Sequence, residues 1–400
     1  MRDAVIVEAV RTPVGKGKAS GALHQVNAVD LFAHSLRAVV EQTGLDPALL
    51  DDVIGGVVSQ VGEQGTNVTR TALLAAGYPE SVPGTSIDRQ CGSSQQAIHF
   101  AAQGVISGAY DIVVAGGVES MSRVPMGSSA PAGTDNPYGS AFAKRYPEGL
   151  VNQGVSAELI AAKWGISRTQ MDELAIASHE RADAATKNGW FASQISPVKV
   201  AQPDGSVVDF SVDEGIRAGG TVEKMAGLRA AFEDPAMSTR FPQINWSVTA
   251  GNASQLSDGS AALLIMTSQK AKELGLTPKA RLHTFAVVGD DPLYMLTGPI
   301  PATAKVIARS GLSLEDIDLF EVNEAFAAVV LAWQKETGVD LAKVNVNGGA
   351  IALGHPLGAS GARIMTTMLH ELERRGARYG LQTMCEGGGM ANATIVERLS

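Results

Sequence analysis

Asp88-Arg89-Gln90-Cys91-Gly92-Ser93-Ser94 is a short glycine- and serine-containing turn that precedes a helical stretch of this 400-residue chain. A run of apolar residues with helical spacing follows and ends at Gly108: Ala97, Ile98, Ala101, Ala102, Val105 and Ile106. The apolar residues 111–115 come next and indicate a strand. Alternation of strands and helices is typical of α/β proteins. The turn therefore predicts an α/β fold with Cys91 at the N-terminal end of a helix.

Cys91 stands where a helix dipole favours the thiolate, which is the nucleophilic form of cysteine. The only other cysteine, Cys385, precedes Glu386 and three glycines, and His355 lies between the two cysteines in a third glycine-rich segment. Histidine is a common base for activating a cysteine nucleophile. The three residues predict covalent cysteine catalysis. The alternative is that both cysteines are small buried apolar residues, which is the more common state of a free cysteine.

The second half of the chain resembles the first in its order of elements. Candidate strands in the first half are residues 4–10, 52–58 and 111–115. Residues 318–324 are the counterpart of 52–56, the His355 turn is the counterpart of the Cys91 turn, and residues 380–388 are the counterpart of 111–117. Such a duplication brings both turns to one edge of paired sheets, where α/β proteins bind ligands.

The middle of the chain interrupts this pattern. Pro125, Pro131, Pro137 and Pro147 mark a loop-rich start. Helical patterns follow at residues 157–164 and 169–188, the second after Ser167, a candidate N-cap. We predict three parts: an N-terminal half at residues 1–120 plus 248–274, an inserted substrate-covering loop domain at 121–247, and a C-terminal half at 275–400.

Composition excludes several classes of protein. The net charge of −9 argues against nucleic-acid binding, which needs a clustered basic face. No apolar run approaches the ~20 residues that span a bilayer, and Glu8 interrupts the first apolar run too early for a signal peptide. Two cysteines in this length favour a reducing compartment, and no metal-ligand cluster is evident. We expect a soluble cytoplasmic enzyme with neither a membrane nor a nucleic-acid partner.

Six motifs, in order along nearly the whole chain, resemble those of the thiolase family. They are Asp88-Arg89-Gln90-Cys91-Gly92-Ser93-Ser94, Gly116-Gly117-Val118-Glu119-Ser120-Met121-Ser122, Ala250-Gly251-Asn252-Ala253-Ser254, Val322-Asn323-Glu324-Ala325-Phe326-Ala327, residues 345–361 around His355, and Cys385-Glu386-Gly387-Gly388-Gly389. The resemblance implies a thiolase fold, in which two similar halves form five α/β/α/β/α layers with an inserted loop domain. It also implies a homodimer or homotetramer.

The resemblance assigns catalytic roles to residues of these motifs. Cys91 resembles the nucleophile that accepts the acyl group, and His355 the base that activates it. Cys385 resembles a second thiol that moves a proton to and from the substrate α-carbon or the coenzyme A sulfur. Asn323 resembles the residue that holds a water for one oxyanion hole, shared with His355 Nε2. The backbone N–H groups of Cys91 and Gly387 resemble the donors of the other hole.

Substrate contacts also follow from the resemblance. Ser254 corresponds to a contact of the pantetheine arm, Arg217 lies near the adenine nucleotide, and Phe326 and Met295 lie near the acyl pocket. No permanently bound cofactor is implied, because coenzyme A and acyl-CoA are substrates. We interpret two motif carboxylates as hydrogen-bonding supports of loops rather than as general bases: Glu119 and Glu324.

One departure from the family pattern bears on the substrate. Short-chain biosynthetic thiolases resemble one another in a His-Met pair before a glycine, and this chain has Asn152-Gln153 before Gly154. The methionine narrows the acyl pocket, so its loss favours a degradative 3-ketoacyl-CoA thiolase of fatty-acid β-oxidation or a related pathway, whose partner enzyme the sequence does not identify. The chain length, branching or ring content of the acyl group does not follow from these residues.

Other functions remain as alternatives. The nearest is a biosynthetic acetoacetyl-CoA thiolase that condenses two acetyl-CoA. A ketoacyl synthase shares the fold and a cysteine, but it is expected to have a second histidine or an asparagine in place of Cys385. A non-catalytic coenzyme A-binding protein, or a redox protein with a Cys91–Cys385 dithiol pair, agrees with the cysteine count alone. The Asn323 and His355 motifs argue against both.

Overall fold

The computed structural model of the protein describes residues 2–130, 138–202 and 204–399. Pro131 and Pro137, two of the prolines that predict a loop-rich segment, lie outside the described residues. Among the residues that are described, no helix is long and apolar enough to cross a membrane.

Strands and α-helices follow one another along the chain in the order that the sequence pattern predicts. The strands are β1 (Val5–Arg11), β2 (Gly15–Lys16), β3 (Asp52–Gly56), β4 (Thr85–Ile87), β5 (Ile112–Ser120), β6 (Val198–Ala201), β7 (Val207–Phe210), β8 (Ser257–Met266), β9 (Ala280–Gly289), β10 (Leu319–Val322), β11 (Tyr379–Glu386) and β12 (Met390–Arg398). The α-helices are α1 (Ala28–Thr43), α2 (Val68–Ala75), α3 (Ser93–Ser107), α4 (Gly139–Arg145), α5 (Gln153–Trp164), α6 (Arg168–Lys187), α7 (Val222–Ala226), α8 (Pro235–Arg240), α9 (Ser268–Glu273), α10 (Pro299–Ser310), α11 (Ala327–Thr337), α12 (Ala350–Leu353) and α13 (Leu357–Arg375). Short 3-10 helices occupy Pro47–Leu49, Gly62–Gln64 and Leu341–Lys343.

The main sheet contains the same arrangement of strands twice. Its order is β10-β11-β12-β9-β1-β8-β5-β3-β4, with β2 paired to β8. In the series β1-β8-β5-β3 the first two pairs are antiparallel and the third is parallel, and β9-β12-β11-β10 repeats that pattern. The two series meet where Val5 pairs with Arg281 and Ile6 with Ala280. This repetition confirms the duplicated halves of the expected fold.

Helices α3 and α13 lie between the two halves of the sheet. Their apolar side chains, such as Ile98 and Met365, share one core with strand residues of both halves, including Leu263 and Leu282. A second core packs α1 and α2 on the outer face of the first half, and a third packs α10 and α11 on the outer face of the other. These layers confirm the predicted five-layered α/β/α/β/α architecture.

Helix α3 agrees with the predicted stripe except at its last apolar residue. The helix ends at Gly108, whose φ of 85° is a left-handed conformation suited to glycine. Ile106, however, is 40% exposed. At 100° per residue it lies about 110° from the centre of the stripe that the other five residues form, so it points away from the sheet.

The region between β5 and β8 packs on both halves of the sheet, with Val198 and Val200 in the core of the first half. Helix α6 begins at Arg168, and Ser167 caps it in a reciprocal capping box with Gln170, as the sequence predicts. Helices α5 and α6 pack against α11. The boundaries predicted for the three parts of the chain stay a prediction.

Candidate active site

Cys91 lies in a tight turn that its neighbours hold in place. Gln90 has a φ of 49°, and its carbonyl accepts a hydrogen bond from the Ser93 hydroxyl at 2.6 Å. The Arg89 N–H donates to Ser93 Oγ at 2.9 Å. Helix α3 starts two residues after Cys91, whose side chain is buried. The sequence thus places this thiol correctly at the N-terminal end of a helix.

The turn that carries His355 packs directly against the start of α3. The Ala362 N–H of α13 donates to Ser94 Oγ at 2.9 Å. A Cβ on Gly361 would lie 2.3 Å from the backbone nitrogen of Gln95, so this close approach of the two helices requires glycine. The packing of α3 on α13 therefore brings together two turns that are 264 residues apart from Cys91 to His355.

Two hydrogen bonds orient the imidazole of His355. Its Nδ1 lies 2.6 Å from Ser360 Oγ, and the Ser360 hydroxyl donates to the Pro356 carbonyl at 2.9 Å. Because a hydroxyl has one proton, Nδ1–H must donate to Ser360, which leaves the lone pair on Nε2. Burial, together with the Arg363 charge, lowers the pKa of His355 to about 3. His355 is therefore a neutral base at physiological pH.

Asn323 connects the end of β10 to the imidazole. Its Nδ2 lies 3.4 Å from His355 Nε2, and its backbone N–H donates to the Thr383 carbonyl at 3.1 Å. The Oδ1 atom is buried and has no hydrogen-bond partner among the described residues. The side chain thus presents a polar atom to the site, and its predicted role of holding a water stays a prediction.

Cys385 occupies β11, close enough to Cys91 for a charge on one thiol to affect the other. Burial, and secondly the charge of Cys91, raises the pKa of Cys385. The same apolar cluster contains Cys385, Phe326 and Met295. The structure therefore brings the two thiols near each other, and the place of Phe326 and Met295 at an acyl pocket stays a prediction.

The predicted lowering of the Cys91 pKa is wrong for this arrangement. Burial and the Glu386 carboxylate raise the pKa of Cys91 to about 12, although the N–H groups of Gly387 and of Cys91 itself donate towards the sulfur and oppose the shift. Desolvation of the thiolate outweighs the helix end and the two donors. Cys91 and His355 accordingly rest as neutral thiol and neutral imidazole. The two N–H groups expected in an oxyanion hole do point to the same place.

The sequence did not predict a role for two residues near the site, Ser360 and Glu386. Ser360 gave no signal beyond its place in the His355 motif. Glu386 directly follows Cys385, and a glutamate in an otherwise apolar and glycine-rich run was a signal of its own. Neither carboxylate oxygen of this buried residue has a hydrogen-bond partner within the described part of the chain. Burial, opposed by Arg89, raises the pKa of Glu386 to about 8.

Glu119 and Glu324 support loops, as predicted. Each buried carboxylate accepts several hydrogen bonds and joins segments that are distant in the sequence. The donors to Glu119 are Val58 N, Ser59 N, Gln64 Nε2 and Gly358 N, and those to Glu324 are Ser178 Oγ, Asn345 Nδ2 and Ile351 N. Glu119 thereby fixes the first turn of α13, just after His355.

The residues expected to bind coenzyme A lie on a path from the surface to His355. Arg217 is exposed, and its guanidinium donates to Gln255 Oε1 at 3.4 Å. Gln255 follows Ser254, and its carbonyl accepts the His355 N–H at 3.2 Å. Contacts of Arg217 and Ser254 with a nucleotide or pantetheine stay predictions. In the described ranges, no cluster of three His, Cys, Asp or Glu side chains is suited to hold a metal ion.

The chain is similar to known thiolases along nearly its whole length. The family model for the thiolase N-terminal domain matches residues 4–269, and the model for the thiolase C-terminal domain matches residues 276–398. The steroid 3-ketoacyl-CoA thiolase FadA6 of Mycobacterium tuberculosis is 49% identical over 405 residues, which cover 100% of this chain and 95% of the relative. The 3-ketoacyl-CoA thiolase of Serratia proteamaculans is 46% identical, with 100% of both chains covered. The crystal structure of the Bacillus anthracis acetyl-CoA acetyltransferase has a TM-score of 0.88 and 42% identity, covering 100% of this chain and 99% of that one.

Proposed function

Because this chain belongs to the thiolase family, we propose that it cleaves a 3-ketoacyl-CoA with coenzyme A to acetyl-CoA and an acyl-CoA two carbons shorter. The observation that carries the proposal is the packing of the buried Cys91 turn against the His355 turn, with Cys385 in electrostatic reach of Cys91. A nucleophile, a base and a second thiol that moves protons are the groups that thioester chemistry of this kind needs.

The first step transfers the acyl group to the enzyme. His355 Nε2 takes the proton of Cys91 as its sulfur bonds to the 3-keto carbon of the substrate. The bond between C2 and C3 then breaks, and its electron pair passes to C2 as the enolate of acetyl-CoA. Cys385 gives its proton to C2, and the shortened acyl group remains on Cys91 as a thioester.

The second step returns the acyl group to coenzyme A. The Cys385 thiolate takes the proton of the incoming coenzyme A thiol, whose sulfur attacks the thioester carbonyl. Cys91 leaves as a thiolate and recovers its proton from His355. Every proton moves between these three side chains and the substrates, so the cycle needs no external oxidant or reductant.

Negative charge develops on two different oxygens during this cycle. The N–H groups of Gly387 and Cys91 both point to the Cys91 sulfur and are suited to one of these oxygens, while Asn323 and His355 Nε2, 3.4 Å apart, are suited to the other. Preorganised donors of this kind typically contribute about 3 kcal/mol each to transition-state stabilisation. This supports the assignment of two separate oxyanion sites.

The residues near the expected acyl pocket support the degradative direction of the reaction. Asn152 and Gln153 stand where short-chain thiolases carry the His-Met pair, so glutamine replaces the methionine that narrows the acyl pocket. Asn152 caps α5 through a hydrogen bond from the Val155 N–H at 3.0 Å and lines a large cavity. The curated relatives named above are 3-ketoacyl-CoA thiolases. Condensation of two acetyl-CoA is the second candidate, favoured by the similarity to the Bacillus anthracis acetyltransferase, and it uses the same steps in reverse.

Trapping of the acyl-enzyme tests the function. Wild-type protein mixed with a 3-ketoacyl-CoA should gain the mass of the shortened acyl group on the Cys91 peptide, and Cys91→Ser should lose turnover while it still binds coenzyme A. Correctly folded protein that acquires no acyl mass, or a Cys91→Ser variant with wild-type turnover, would refute covalent catalysis.

We also propose a homodimer or homotetramer located in the cytoplasm. The family resemblance supports the assembly, and the two free cysteines, Cys91 and Cys385, support a reducing compartment. Light scattering coupled to size-exclusion chromatography measures the mass of the assembly directly. A monomeric mass near 41.5 kDa at micromolar concentration would contradict the first part.

A further inference from the structure

A cavity of about 840 Å³ lies against the turn that follows Cys385. Gly388, Gly389 and Met390 form one of its walls. Gly388 is three residues from Cys385, so at most about 10 Å of backbone separates the cavity from this thiol. Met295 lines the cavity and also belongs to the apolar cluster around Cys385. The cavity therefore lies near the proposed site of the chemistry.

Three aromatic side chains on α4 and its two ends form another part of the lining. Tyr138, Phe142 and Tyr146 are spaced four residues apart and all line the cavity. The ring centroids of Tyr138 and Phe142 are 4.9 Å apart with planes 25° from parallel, and those of Phe142 and Tyr146 are 5.0 Å apart. Eight residues of helix make this row about 12 Å long. It is a continuous aromatic surface.

The aromatic wall is partly open to solvent. None of the residues of α4 is buried, and Tyr138 is 64% exposed. Exposed aromatic rings beside a cavity of this size are typical of sites for small apolar molecules, which commonly measure about 300–1,000 Å³. The face thus has the chemistry of a ligand site.

Charge indicates which part of an acyl-CoA enters the cavity. Asp290 is a lining carboxylate, and it accepts a hydrogen bond from the Thr297 hydroxyl at 2.7 Å. Lysine, arginine and histidine are absent from the described lining. The phosphates of coenzyme A need cationic partners, so the nucleotide end does not belong here. The cavity suits the acyl end.

We propose that this cavity holds the acyl group of the substrate and that the row of Tyr138, Phe142 and Tyr146 selects a rigid, ring-bearing acyl group over a linear one. The inference rests on the proposed thiolase function and adds its substrate class. A fused ring system has few torsions to lose on binding, whereas a linear chain gives up rotamer entropy along its length. The aromatic rings, whose planes are tilted by 25° and 46° between neighbours, also contact the broad face of a ring over more area than they contact the edge of a single chain.

Thiolysis kinetics of the wild-type enzyme and three variants test this inference. The values of kcat/KM for thiolysis are measured with a fused-ring 3-ketoacyl-CoA, linear 3-ketohexadecanoyl-CoA and acetoacetyl-CoA. The variants are Phe142→Ala and Phe142→Leu, and Lys144→Ala is the matched control because it lies exposed on the same helix outside the cavity lining. We expect Phe142→Ala to lower kcat/KM for the ring substrate at least tenfold more than for acetoacetyl-CoA. The loss of kcat/KM for the ring substrate in Phe142→Leu should lie between those of wild type and Phe142→Ala. Lys144→Ala should have the kcat/KM values of wild type.

The outcomes separate this inference from the function on which it rests. If the wild-type enzyme cleaves none of the substrates, the proposed thiolase function is contradicted. If wild type cleaves acetoacetyl-CoA but Phe142→Ala lowers kcat/KM equally for the linear and the ring substrate, only the proposed preference for rings is contradicted. If turnover fails, calorimetry measures the affinity of Cys91→Ser for the fused-ring 3-ketoacyl-CoA. The double variant Cys91→Ser/Phe142→Ala should bind this substrate at least tenfold more weakly than Cys91→Ser. Equal affinities would contradict a role of the aromatic wall in binding.

Discussion

Ser360 Oγ lies 2.6 Å from His355 Nδ1, and its hydroxyl proton is donated to the carbonyl of Pro356 at 2.9 Å. The serine therefore acts as an acceptor towards the imidazole and fixes the tautomer with the lone pair on Nε2. Both residues are buried, so water does not readily replace the serine. The base of the proposed reaction thus depends on a hydroxyl one helical turn into α13.

Replacement of Ser360 should disturb the base without removing it. In Ser360→Ala the Nδ1 proton loses its acceptor, at a cost of about 1–3 kcal/mol, and the ring populates the wrong tautomer. We expect kcat to fall roughly tenfold and the pH profile of kcat/KM to shift. Thiolysis kinetics between pH 6 and 9 measure both quantities.

A second variant of the same helix controls for structure. Thr366 Oγ1 donates to the Ala362 carbonyl at 2.8 Å, the same kind of bond four residues back, but it has no recorded bond to His355. Thr366→Ala should keep the pH profile and kcat of wild type. A loss in Thr366→Ala equal to that in Ser360→Ala would show that only helix stability had changed.

Removal of the second thiol should separate the two half-reactions. Cys385→Ser keeps Cys91 and His355, so a simple acyl-CoA should still transfer its acyl group to Cys91 at a rate within about tenfold of wild type. Cleavage of the bond between C2 and C3 should fall by at least about a thousandfold, because serine is a far weaker acid than cysteine. Mass spectrometry follows the first step and release of acetyl-CoA the second. Equal loss of both would contradict the proton role of Cys385.

Glu386 should restrain the reactivity of Cys91 at alkaline pH. Its pKa is raised from 4.5 to about 8, so the carboxyl is neutral below pH 8 and gains its charge above it, where it raises the pKa of Cys91 further. Glu386→Gln removes that charge. Alkylation of Cys91 by iodoacetamide in a Cys385→Ser background should be roughly two- to tenfold faster at pH 9 and unchanged at pH 6.5. Equal acceleration at both values would indicate looser packing instead.

The inserted region is joined to β1 by a buried ion pair. Arg11 Nη1 and Nη2 donate to the two oxygens of Asp213 at 2.8 and 2.9 Å, and both side chains have 0% exposure. Asp213→Asn leaves a buried guanidinium without its charge partner and should lower the free energy of unfolding by about 3–5 kcal/mol. Urea titration measures this change.

An exposed pair in the same region provides the comparison. Lys199 Nζ lies 3.1 Å from Asp209 Oδ1, with side-chain exposures of 77% and 62%. Asp209→Asn should change the free energy of unfolding by less than about 1 kcal/mol. Similar effects of Asp213→Asn and Asp209→Asn would contradict the argument from burial.

Local sequence patterns were sufficient to predict several secondary-structure elements of the fold. The stop of α3 at Gly108, the cap of α6 at Ser167 and the strand starts in both halves follow from short-range stereochemistry, which the sequence records directly. The prediction wrongly placed Ile106 on the buried face of α3, because it grouped the apolar residues without comparing their angular positions around the helix axis. Motif resemblance singled out Cys91, His355 and Cys385 as candidate catalytic groups, because each stands in a distinctive glycine-rich run of residues, and their roles stay predictions.

By itself, the sequence determined the family and the order of elements, and it singled out the candidate reacting groups. Only the tertiary structure decided their protonation and their surroundings: a thiol with a pKa of about 12, an imidazole with a pKa of about 3, and a carboxyl at Glu386 with a pKa of about 8. These values depend on desolvation and on charges from distant parts of the chain, which meet only when α3 packs on α13. The proposed acyl site likewise depends on tertiary structure, because the aromatic residues of α4 and the turn after Cys385 line the same cavity only in the folded chain.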